Sequence, residues 1–164
     1  MTTQLELANM ALSHIGARDS IPSLAENSIE ARQCTIWMDM SRKETLEAYN
    51  WSFARRRATL VAHADDPPEG EWGYRFALPA DLLKAREIQN PGVAYLPYSN
   101  SYYIYSQPDA MPFTIELSDD GSERTLLTDM DAPVLIYTAD IEDMTIYSGQ
   151  AVIALSFALA SHIA

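Results

Sequence analysis

His14, His63, His162 and the single cysteine, Cys34, are the side chains of this chain best suited to bind a metal or attack a substrate. Their spacing serves neither purpose. The histidines fall in a first helix, a loop and a last helix, no two at metal-ligand spacing, and one cysteine cannot build a zinc site. Cys34 lies on the apolar face of a helix, where a cysteine acts as a small buried hydrophobe. Carboxylates come in pairs at Asp65-Asp66, Asp119-Asp120 and Asp129/Asp131. General acid–base chemistry needs carboxylates that converge on one cleft with separated pKa values. These pairs stand beside proline or glycine, where aspartate serves local turn hydrogen bonds. Their spacing does not match a calcium loop. Only six glycines occur, and they form neither a phosphate cradle nor a Gly-x-Ser-x-Gly elbow. The expectation is a protein without catalytic residues, cofactor or metal.

Two other groups point to partners. Arg55, Arg56 and Arg57 stand together after Trp51 and Phe53. They have three readings. They could pair with acidic residues within or between subunits, since arginine suits interface pairing. They could be an exposed basic end to the second helix, meeting its C-terminal dipole. They could touch nucleic acid, for which three arginines in so acidic a chain are a small footprint. The second group is Tyr95, Tyr98, Tyr102, Tyr103 and Tyr105, five of nine tyrosines within one short stretch. Tyrosine is enriched at protein interfaces because it is large, fairly rigid and polar at its tip. The alternative is a two-faced strand with one row packed and the other half-exposed.

The elements that must position these residues follow from periodicity. Thr3-Gln4-Leu5-Glu6 has capping-box spacing, and Leu5, Ala8, Ala11, Leu12 and Ile15 recur at helical intervals. That predicts a helix over 4–15, stopped by Gly16. Residues 17–26 connect it to a second helix from about Ser28 to Tyr49, opened by Asn27-Ser28-Ile29-Glu30 and ended by Asn50. Cys34, Trp37, Met38 and Leu46 mark its inner face, with Glu30 and Lys43 outside. Strands are predicted at Ala58–Ala62, around Trp72, Tyr74 and Phe76, at Tyr102–Tyr105, Phe113–Leu117, Thr125–Thr128 and Val134–Thr138. A loop spans Ala64–Gly70, and Leu78-Pro79-Ala80-Asp81 reads as a short helical turn. Asp119-Asp120-Gly121-Ser122 is a hairpin turn signal. A last helix over 149–164 is apolar nearly all round, which predicts a central position or cover from a neighbouring subunit. The fold class is α+β: one domain, residues 1–164, with a helical bundle from about 1–56 and 141–164 and an inserted antiparallel β lobe over about 57–140.

A chain of 164 residues with 48% apolar content can bury a proper core, hiding roughly 70% of its unfolded surface. One cysteine excludes an internal disulfide framework and argues for a reducing compartment. Met1-Thr2-Thr3-Gln4 lacks the basic start and apolar run of a signal peptide. Ala151–Ala164, the most apolar stretch, is shorter than the about 20 residues a bilayer requires. The net charge of −12 is uneven. Residues 1–59 hold seven acids and seven bases; residues 60–164 hold sixteen acids and four bases. Such a surface repels nucleic acid and anionic lipid. It suits a solvated face, a basic partner, or a wall that DNA passes without sticking.

Several segments together resemble a known family. They are Leu7-Ala8-Asn9-Met10-Ala11-Leu12-Ser13-His14-Ile15-Gly16-Ala17, Ile21-Pro22-Ser23-Leu24-Ala25-Glu26-Asn27-Ser28 and Trp51-Ser52-Phe53-Ala54-Arg55-Arg56. Leu78-Pro79-Ala80-Asp81, Leu126-Leu127-Thr128-Asp129, Leu135-Ile136-Tyr137-Thr138-Ala139 and the closing Ala158–Ala164 complete the set. The order resembles the tail tubular protein A family, the head-to-tail adaptors of short-tailed bacteriophages. Trp51–Arg56 and Leu78–Asp81 are its most specific parts.

The resemblance implies a structural protein of the virion neck, made in the host cytoplasm, that forms a ring, usually of twelve copies. Its implied partners are the portal protein above, a nozzle of the tail tubular protein B type below and, in many phages, the tail fibres. DNA passes the lumen without specific binding, and no membrane is involved. Arg55, Arg56, Arg57 and the five tyrosines are then candidate subunit contacts, with Trp51 and Phe53 a structural latch. The acidity alone allows another reading, an inhibitor or DNA mimic that binds a basic host protein. A virion cell-wall hydrolase is a third, against which the missing acid pair and metal set argue.

Overall fold

The computed structural model describes residues 2–17, 19–89 and 111–164. Among them are three α-helices and two β-sheets, with helices at both ends and strands between. The chain divides into two compact units, Met1–Arg55 with Thr138–Ala164, and Arg56–Tyr137.

The first unit is helical. Helix α1 spans Gln4–His14 and opens on a capping box: the Glu6 amide donates to Thr3 Oγ1 at 3.2 Å, and the Thr3 amide to Glu6 Oε2 at 2.8 Å. Each bond satisfies a donor that the first helical turn leaves without a partner. The helix is followed by Gly16, whose φ of 78° suits a residue without Cβ. Asn9 then pins the connector, accepting from the Ile21 amide at 2.8 Å and donating to its carbonyl at 3.0 Å.

Helix α2 spans Ile29–Ala48, and its cap is Ser28, which accepts from the Ala31 amide. The capping-box spacing read from Asn27 is therefore one residue early; the Asn27 carboxamide instead takes Arg32. Helix α3 spans Gly149–Ile163 and is capped by Ser148. It packs against both α1 and α2, whereas those two touch each other little. Leu7, Ala8, Ala11 and Leu12 of α1, Cys34 and Leu46 of α2, and Leu155 and Leu159 of α3 are buried. The apolar character of α3 thus has its explanation in a central position, with a remainder: Ile153 and Phe157 stay 52% and 56% exposed.

The strands form two sheets. In the first the order is β1 (Arg55–Thr59), β7 (Val134–Ala139), β4 (Leu82–Gln89). In the second it is β2 (Val61–Ala62), β3 (Tyr74–Ala77), β6 (Arg124–Thr128), β5 (Phe113–Leu117), antiparallel throughout. Phe76 faces Leu126 across β3 and β6, and Ile115 faces the same residue from β5. The β5–β6 hairpin closes through Gly121, φ 71°, whose amide donates to Ser118 O at 2.8 Å.

Leu78-Pro79-Ala80-Asp81 is not the start of a helix. It is a tight turn in which the Leu82 amide donates to Pro79 O, and it feeds directly into β4. Trp72 precedes β3 and takes no part in it, and the run from Arg55 to Ala62 is two strands broken at the buried Leu60. The strand predicted at Tyr102–Tyr105 lies outside the described residues.

Candidate functional site

The segment after α2 is built around aromatic rings. The helix ends at Ala48, so Trp51 and Phe53 follow it and do not belong to it. The Trp51 indole N–H donates to Thr45 O at 2.8 Å, supplying one of the carbonyls that the last turn of α2 leaves open. Trp51 lies 6.0 Å from Phe53, centroid to centroid, and Phe53 4.7 Å from Tyr147. This chain of rings runs from the end of α2 to the segment that introduces α3, joining the two stretches of sequence that make the helical unit.

Beneath it lies Arg42, which sequence reasoning missed. It sits on the inner face of α2, 4% exposed. Its Nη1 donates to the Asp140 carboxylate and to Ile141 O at 2.9 Å, and its Nη2 to Asp39 at 2.6 Å. Burial disfavours the charged guanidinium, but the bonds from Asp140 and Asp39 outweigh it, so the pKa is raised. The hydrogen bonds from Lys43 and then Arg42 hold Asp39 below the usual carboxylate range. The Tyr147 hydroxyl donates to Ile141 O at 2.7 Å, and burial pushes its pKa up. A hollow of about 610 Å³ opens beside this pair, lined by Gln4, Leu24, Thr35, Met38, Arg42 and Met144 among others.

Arg55, Arg56 and Arg57 are exposed residues of β1. They begin seven residues beyond the end of α2, out of range of its dipole, so they are not a basic end to that helix. Arg56 donates to Asp81 Oδ2 at 2.7 Å, and Asp81 Oδ1 accepts from Tyr137 at 2.9 Å. Burial, then the Asp81 bond, raise the Tyr137 pKa. Part of the triplet is thus spent inside its own unit, where Asp81 comes from the Leu-Pro-Ala-Asp segment. Tyr95, Tyr98, Tyr102, Tyr103 and Tyr105 lie outside the described residues.

The acidic pairs separate by role. Asp120 accepts from Ser118 Oγ and the Ser122 amide, which lower its pKa to about 2, and Asp129 accepts from the Gly73 amide. The Asp120 bonds are turn duties, whereas the Asp129 bond reaches a residue 56 positions away. Asp65 and Asp119 do more than local turn bonding: they converge on the buried Arg75, whose Nη1 lies 2.6 Å from Asp119 Oδ1 and 3.4 Å from Asp65 Oδ2. One guanidinium shared by two carboxylates is an ion-pair node of the β unit.

His63 borders that node. Its Nδ1 accepts from the Asp65 amide at 3.0 Å, so the ring proton sits on Nε2, 2.7 Å from Glu123 Oε1. His14 stacks on Phe157 at 3.9 Å with Nε2 3.0 Å from Ser156 Oγ, and His162 stacks on Trp37 with Nε2 2.9 Å from Glu44. The three imidazoles serve three separate packing sites. Cys34 is buried, and that burial pushes its thiol up, away from the thiolate a nucleophile requires. Among the described residues no group of three or more His, Cys, Asp or Glu could hold a metal ion, and no helix is long and apolar enough to cross a membrane.

What the arrangement leaves for partners is surface. Ile29, Ile36 and Met40, each more than half exposed, lie on one side of α2, opposite its buried face. Ile153 and Phe157 do the same on α3. Comparison with protein-family models finds no match to the chain, and none of the curated proteins matches it.

Proposed function

We propose that the protein is a head-to-tail adaptor of a bacteriophage, a structural ring component between portal and tail nozzle that performs no bond-making chemistry. The observation that carries this reading is the assembly of both chain ends, Gln4–Ala48 and Gly149–Ile163, around one apolar interior with two sheets inserted between them in sequence. That element order is what the resemblance to the tail tubular protein A family implies. The segments that carry the resemblance also have visible structural work: Trp51 and Phe53 in the ring chain, Asp81 on Arg56, Asn9 on Ile21.

Further support comes from the exposed aliphatic side chains on α2 and α3, which a subunit in a ring would cover. The excess of acids after residue 59 would give the lumen few cations to hold DNA phosphates. The ring would sit in the virion neck, with portal, nozzle and fibres as its neighbours.

Electron microscopy of the purified protein mixed with the cognate portal tests the proposal. A ring of this protein stacked on the portal is the expected result. A mixture in which the two never associate refutes it. Binding to a basic host protein in a small soluble complex, with no ring, would favour the inhibitor or DNA-mimic reading instead.

A further inference from the structure

Among the described residues Arg57 is the only lysine or arginine whose side chain makes no hydrogen bond or ion pair. Arg42, Lys43, Arg56 and Arg75 meet carboxylates, Arg32 meets Asn27, and Arg124 meets Leu82 O. Arg55, Lys84 and Arg86 are engaged as well. The chain holds 23 acids against 11 bases, so an exposed arginine without a partner in its own copy has carboxylates to meet on another. It stands on β1, at one end of its sheet's strand order, next to an arginine already held by Asp81.

A matching acidic element exists in the same chain. The loop between β2 and β3 carries Asp66, Glu69 and Glu71, all exposed and none in an ion pair. It is stiff for a loop. Pro67 and Pro68 fix two φ angles, the Glu71 amide donates to Pro68 O at 3.3 Å, and Gly70 takes φ 79°. A preorganised carboxylate cluster loses little entropy on docking. Arginine on a strand offers the flat fork that carboxylates accept in pairs.

We infer that Arg57 and the Asp66–Glu71 loop are the two halves of one contact between neighbouring copies of this chain. Basic and acidic halves lie on different elements, which allows the contact to be made head-to-tail. A head-to-tail contact propagates from copy to copy and can close into a ring. The inference rests on the adaptor reading and names the surface that reading needs. It also narrows the arginine triplet: Arg57 reaches the neighbour, whereas Arg56 serves its own unit.

The test is a charge exchange in the full chain, followed by native mass measurement and electron microscopy of rings on the cognate portal. Arg57→Glu should cut ring yield at least tenfold, and Glu69→Lys with Glu71→Lys should do the same. The three substitutions in one chain should restore rings, and Arg57→Gln should fall between. All the positions are exposed, so circular dichroism should show each variant folded as the parent.

Rings formed by Arg57→Glu at the parent's yield overturn this contact and leave the adaptor reading standing. So does an exchange that fails to restore them, which would place the arginine's partner on the portal. If the parent itself forms no ring on the portal, the adaptor reading falls and the contact with it.

Discussion

At Tyr147 three roles meet in one side chain. Its ring packs on Phe53, its hydroxyl donates to Ile141 O, and that same carbonyl accepts from Arg42. Burial raises its pKa above the ordinary 10.0, which fixes a direction for stability against pH. A group whose folded pKa is raised stabilises fully below its unfolded value, and the contribution is lost as pH rises through the folded one. The parent should therefore lose stability above about pH 10, with Tyr137 adding to the same limb. Tyr147→Phe should cost about 1 kcal/mol at neutral pH for the lost hydrogen bond. It should also flatten the alkaline fall, as read by urea titration between neutral pH and the alkaline range.

Residues of this kind mark the limit of what the sequence reveals. Arg42 meets Asp140 across 98 positions, and Arg75 meets Asp119 across 44. Local pattern assigned Asp119 to a turn, and nothing in that pattern points to a distant guanidinium. Thr3 as a helix cap, Cys34 as a buried thiol and Asp120 in its turn were legible, because each depends on neighbours within a few positions.

Among the elements, α3 was read with its position and β4 was not. The near-absence of charge on α3 announced a helix touched from several sides, and it packs on both α1 and α2. Leu155 of α3 is fully buried. Leu155→Ala should lower the free energy of unfolding by about 2–5 kcal/mol, since the cavity left between helices closes only in part. Chemical denaturation would measure it, and a loss under about 1 kcal/mol would mean that the interior around α3 is loosely packed. Strand β4 reads Leu82-Leu83-Lys84-Ala85-Arg86-Glu87-Ile88-Gln89, mostly good helix formers. Its place beside β7 overrides that propensity, and pairing with a strand 45 or more positions later leaves no local trace. The β5–β6 hairpin was legible for the opposite reason: Asp119-Asp120-Gly121 states its turn directly.

For the molecule as a whole, charge is the property that composition settled and folding redistributed. Two arginines are buried against carboxylates, and most other bases are engaged, so the acids that remain exposed dominate the surface. The protein should give no retardation of duplex DNA in a gel at physiological salt, and the same at lower salt, where phosphate attraction would be strongest. Tight retention of DNA would contradict an acidic conduit wall. The α+β class, with helices at both ends and strands between, could be read in advance because periodicity changes sharply after Arg57. Which side chains face a neighbour could not, because exposure depends on contacts made elsewhere in the chain.

The helical unit is made from two stretches separated by the β unit, and this imposes an order on synthesis. When α1 and α2 leave the ribosome, the helix that both lean on does not yet exist. They touch each other little, so their apolar faces stay unsatisfied while Arg56–Tyr137 emerges and can fold. Helix α3, Gly149–Ile163, made after both, then acts as the closing wedge. The longest-lived vulnerability to aggregation during synthesis therefore lies in the apolar faces of α1 and α2.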